Sequence, residues 1–108
     1  METLTEYEVR EALREWLGPD AVIDINRESP DSRLAGWIVH PGFQGVSALT
    51  RRNWLLEGYQ GGRSLSKWEG LRKQFGHRAT QIGMIFALSP YEYESAFAEE
   101  IEAKPAYA

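Results

Sequence analysis

Gly58, Tyr59, Gln60 and Gly61, followed at once by Arg63 and Lys67, are the residues of this chain whose types and spacing suit a chemical task. Two glycines three positions apart let the backbone N–H groups between them approach phosphate oxygens without side-chain obstruction. Tyr59 offers a flat ring on which a base can stack. Arg51 and Arg52 before the loop, and Lys73 and Arg78 after it, add charge that neutralises phosphates. Loop composition alone favours a flexible connector whose glycines answer a purely conformational need. The surrounding charge brings the two readings level. Seven of the 12 Lys and Arg residues fall between positions 51 and 78, where the only acids are Glu57 and Glu69, in a chain of formal net charge −4. Cations segregated in this way mark a surface that meets an anion, although such a face is also compatible with plain solvation or with docking of an acidic protein.

Catalysis finds little support. No Gly-x-Ser-x-Gly elbow occurs, no glycine-rich loop ends in Lys-Ser or Lys-Thr, and the carboxylates cluster on the terminal segments. Zero Cys excludes disulfides, thiolate ligands and a Cys nucleophile, and two His residues are too few for a zinc site within one chain. His77 is a weak metal candidate that a helix C-terminus explains as well, and His40, beside Pro41, reads as a strand-end residue. The expectation is a binding protein, not an enzyme, with no cofactor. No apolar run approaches the ~20 residues of a membrane span, and the first fifteen residues are acidic where a secretory signal would be basic. The chain therefore reads as cytoplasmic, with no membrane partner.

The elements that must position these residues can be read from caps and periodicity. Thr5 and Glu8 have capping-box spacing, with Leu4 and Val9 at the staple positions, so a helix begins at Glu6 and ends at Gly18-Pro19. Val9, Leu13, Trp16 and Leu17 form its apolar stripe. Residues 21–26 and 36–40 read as strands, joined through Ser29-Pro30-Asp31-Ser32. Ser47 caps a helix that carries Leu49, Trp54 and Leu55 to about Glu57. After the glycine loop, Ser64 opens a further helix over 64–75, in which Leu65, Trp68, Leu71 and Phe75 recur every three to four residues. Residues 79–88 form the clearest strand, with Ile82, Met84, Phe86 and Leu88 on one face and Gly83 on the other. Ser89, Pro90 and Glu92 start a last helix striped by Tyr93, Phe97 and Ile101. The four tryptophans suit the core, and Trp37 and Tyr59 are the aromatics best placed for exposure. The expected fold is a single α+β domain over residues 1–103, with a frayed tail over 104–108. It is a two-layer sandwich of a three-stranded mixed sheet with helices on one face, in the order α-β-β-α-α-β-α.

Trp37-Ile38-Val39-His40-Pro41-Gly42-Phe43-Gln44-Gly45, with Leu49 and Arg51-Arg52-Asn53 after it, resembles the core signature of the BolA family. There a strand ends in Phe-x-Gly, and a helix opens with a Leu and an Arg-His-Arg triplet. Residues 81–88, followed by Ser89-Pro90 and Glu92, are similar to that family's last strand and Thr-Pro-Glu helix start. The segment strand, helix, Gly-x-x-Gly, helix, strand also resembles the KH core of class II, the arrangement to which BolA proteins are themselves similar. The BolA resemblance implies a stress-responsive, transcription-regulatory nucleic-acid binder, or an adaptor for a monothiol glutaredoxin in iron–sulfur cluster trafficking. Two departures stand out. Gln81 occupies the position of the family's cluster-ligand His, and an amide does not replace an imidazole on iron. The helix expected over 64–75 is additional to the compact family core.

Overall fold

A computed structural model describes residues 2–62 and 64–103, over 97–103 in backbone only. It is an α+β fold in the expected element order. Helix α1 (Glu6–Leu17) leads into strands β1 (Val22–Asn26) and β2 (Leu34–Val39), then helices α2 (Ala48–Glu57) and α3 (Leu71–Phe75), strand β3 (Ile82–Leu88) and helix α4 (Pro90–Ala103). The sheet order is β1-β2-β3, antiparallel between the first two strands and parallel between the last two, so β3 is an edge.

Local chemistry sets most boundaries. The Thr5 hydroxyl accepts from the Glu8 N–H at 3.1 Å and the Glu8 carboxylate accepts from the Thr5 N–H at 2.9 Å, which closes the capping box of α1. Ser47 accepts from the Thr50 N–H at 3.2 Å, and Ser89 and Glu92 exchange bonds in the same reciprocal manner at the start of α4. Val9, Leu13 and Trp16 of α1 pack with Leu55 of α2 and Leu71 of α3 against Ile25, Leu34, Ile38, Ile82 and Ile85, forming one core on one face of the sheet.

Two expectations fail. Residues 64–70 are not helical; only Leu71–Phe75 forms a helix. Instead, Tyr59 pairs with Trp68 and Gly62 with Leu65 in antiparallel bridges, while Gly61, Gly62 and Ser64 adopt positive φ. Tertiary packing overrides the helical period here. Trp68 stacks on Trp16 at 5.2 Å and donates its indole N–H to the Leu55 carbonyl, and Trp16 donates to the Ser66 carbonyl at 3.0 Å. The hairpin is thereby pinned over α1.

The second failure concerns β3. Leu34 pairs with Ile82 but Gly36 pairs with Ile85, so β3 holds one residue more than β2 between those pairs, which is a bulge at Gly83-Met84. It puts Ile82 and Ile85 together in the core. Met84 and Phe86 stand on the opposite face, 50% and 58% exposed, so Ile82 does not share their side. The strand also starts later than expected, at Ile82 rather than Ala79, because residues Gly76–Gln81 form a 3₁₀ segment.

Candidate functional site

Among the described residues, the cations of 51–78 do not form one patch. Arg51 is buried: its guanidinium donates to the carbonyls of Val46 and Ala87, each at 2.8 Å, and to Glu92 at 2.6 Å. The Arg51 bond, followed by the Ser89 N–H, holds the Glu92 carboxyl below its ordinary range. Arg78 donates to both Glu8 oxygens, at 2.6 and 2.7 Å, and lies 6.0 Å from the Phe75 ring. Its hydrogen bond, with that of the Thr5 backbone second, lowers the Glu8 pKa to about 2. The acidic terminal segments therefore take two of the expected phosphate ligands. Lys67 is exposed but shares a concavity with Glu15 and Glu69 on the α1 side, and Lys73 is exposed on α3. Arg63 lies outside the described residues.

The Gly58–Gly61 loop is not an open cradle. The Gly58 N–H caps α2 on the Trp54 carbonyl at 2.9 Å, and the Tyr59 N–H is donated to the Trp68 carbonyl at 2.8 Å, so two of the four amides are committed internally. Tyr59 is half-buried with its ring 4.4 Å from that of Trp54. Gln60 remains exposed at the hairpin's surface and Gly61 is half-exposed.

Convergence occurs elsewhere. Arg33, Arg52, Arg72 and His77, from the approach to β2, from α2, from α3 and from the 3₁₀ segment, line one concavity of about 450 Å³ with Thr80. Arg33, Arg52, Arg72 and His77 are all exposed. Arg72 also pairs with Glu57, a solvent-exposed contact of the kind that yields readily to a stronger anion. The bulge builds this site. A Cβ at Gly83 would stand 3.1 Å from the Arg33 Cβ and 3.3 Å from the Leu34 carbonyl oxygen, so glycine lets the Arg33 side chain lie against β3. Arg33 escaped the sequence reading because it sits 18 positions before the charged run, in a segment of opposite net sign.

Arg52 is also a wall of a second concavity. Its guanidinium approaches the Met84 sulfur at 3.3 Å, and beyond that contact Leu49, Met84, Phe86 and Leu88 line a mostly apolar groove of about 470 Å³ between α2 and β3. Leu49 of α2 is 68% exposed here.

Nothing at the site suits a metal. Among the described residues no group of three His, Cys, Asp or Glu side chains is placed to hold one. Gln81 accepts from the Leu4 N–H at 2.8 Å and donates to the Glu2 carbonyl at 2.9 Å, so its amide fastens the N-terminal segment. His40 accepts the Gly42 N–H on Nδ1 at 2.9 Å and burial depresses its pKa, so it acts as a neutral cap. No helix of the described residues is long and apolar enough to cross a membrane. Comparison with family models, with curated proteins and with solved structures found no match to the chain.

Proposed function

We propose that the protein is a non-enzymatic domain of the cytoplasm that binds nucleic acid through its phosphates at the Arg33–Arg52–Arg72–His77 concavity. The supporting observation is that three exposed arginines from separate elements, with a histidine, line one hollow in a protein of net charge −4. Guanidinium forks match phosphate oxygens in pairs, and a hollow flanked by several of them concentrates positive potential. The regulatory role implied by the BolA resemblance would act through such binding. The glutaredoxin-adaptor reading draws on no comparable grouping, since Gln81 is engaged with residues 2–4.

Filter binding of single-stranded RNA and of duplex DNA at low salt tests the proposal. Arg52→Glu with Arg72→Glu abolishes retention without a loss of stability, because both side chains are exposed. Lys67→Glu, on another face, changes retention little. Absence of retention of either polymer by the unaltered protein removes the reading.

A further inference from the structure

The two concavities share Arg52, and their chemistry differs: one is cationic, the other is floored and walled by Leu49, Met84, Phe86 and Leu88. A ligand that fills both must carry an anion next to a flat apolar group, which describes a nucleotide. We infer, on the reading proposed above, that the bound strand is single and that the base beside the held phosphate stacks on Phe86. The Phe86 ring is more than half exposed on the open face of the sheet, where folding leaves it without a purpose of its own. Aromatic faces beside a cationic groove are the means by which unpaired strands are held without sequence readout. Duplex bases, already stacked on one another, cannot offer a face to it.

The edge of β3 argues against a protein strand as the occupant of the same groove. The Leu88 carbonyl accepts from the His40 N–H, so Leu88 faces β2, and by alternation Ile85 and Ala87 present their peptide groups outward. Strand addition needs the outward Ala87 carbonyl. Arg51 already occupies it, and Arg51 is itself fixed by Val46 and Glu92. A flat ring lying on the side chains requires none of those groups.

Three probes distinguish the outcomes: inorganic polyphosphate, a single-stranded RNA, and a duplex DNA, each titrated against the unaltered protein, Phe86→Ala and Phe86→Tyr, with urea midpoints confirming that each variant is folded. Phe86→Ala weakens RNA binding about tenfold and leaves polyphosphate and duplex binding unchanged, whereas Phe86→Tyr, which keeps the ring, binds RNA as the parent does. Equal RNA affinity in Phe86→Ala and the parent overturns the stacking inference while leaving phosphate binding at Arg52 intact. Failure of all three polymers to bind overturns the underlying reading as well. Self-association of the parent that Phe86→Ala abolishes, with RNA affinity unaffected, makes the groove a protein interface and likewise overturns the inference.

Discussion

Arg51 and Arg52 are neighbours of one type with opposite fates, and only packing separates them. A single step along a helix rotates a side chain by about 100°, which turns Arg51 under β3 and α4 and leaves Arg52 outside over Met84. Replacing Arg51 by Met keeps the bulk but leaves the Val46 and Ala87 carbonyls and the Glu92 carboxylate without their donor. The expected loss is about 2–4 kcal/mol of unfolding free energy, read from urea midpoints. Arg52→Met shifts that midpoint by the equivalent of about 0.5 kcal/mol or less, and on the proposed reading its effect is on phosphate binding instead. From the sequence both arginines count equally towards a cationic block. The site was thus partly legible: Arg52 is among the residues singled out from the sequence, Arg72 lies in the charged run without being singled out, and Arg33 becomes visible only once Gly83 brings β3 beside it.

Most elements with explicit start signals were readable, since a cap is a local bargain between a side chain and the nearest N–H groups; Ser64 is the exception, for no helix starts there. Thr5 with Glu8, Ser47, and Ser89 with Glu92 all sit where their hydrogen bonds place them. Residues 64–70 were misread because Leu65, Trp68, Leu71 and Phe75 keep a helical period, although the burial that matters is a tryptophan pair made with α1, remote in sequence. The same hairpin closes on a contact between two glycines. A Cβ at Gly70 would lie 2.5 Å from the Leu56 carbonyl oxygen and 2.7 Å from the Gly58 nitrogen, at a φ of +96°. Those are backbone atoms with no rotamer by which to yield. Gly70→Ala therefore destabilises by about 3 kcal/mol or more, whereas Gly61→Ala, whose Cβ would meet its nearest neighbour, the Lys67 nitrogen, at 3.9 Å, shows only the backbone cost of about 1–2 kcal/mol. Thermal melts of the two variants side by side check the difference. The bulge in β3 is beyond the reach of alternation for a related reason: one extra residue reverses which side chains face the core, and the sequence of apolar residues looks the same either way.

At the scale of the molecule, the acidic ends act as internal counter-ions for part of the basic middle. Glu8 is held at about pKa 2 against an ordinary 4.5, chiefly by Arg78, and Glu92 is lowered by Arg51. A carboxyl whose folded pKa lies below its unfolded one stabilises the fold fully above the unfolded value and loses that contribution as pH falls through the folded value. Stability should accordingly decline from about pH 4.5 towards pH 2, and Glu8→Gln, measured by denaturation across that range, shows a shallower decline. Internal pairing also fixes how strongly salt acts on binding. Each phosphate neutralised on a single strand contributes about −0.7 to the slope of log affinity against log salt. Were all seven cations of residues 51–78 free to meet phosphates, the slope would be about −5. On the proposed reading, with Arg51 and Arg78 paired inside, Lys67 on another side and, among the described residues, Arg33, Arg52 and Arg72 lining the hollow, the expected slope is about −2. Titration of single-stranded RNA between low and physiological salt separates the two values, and Arg33→Ala lowers the slope by roughly one further contact. A slope near −5, or one that Arg33→Ala leaves unchanged, would place the phosphates somewhere other than this hollow.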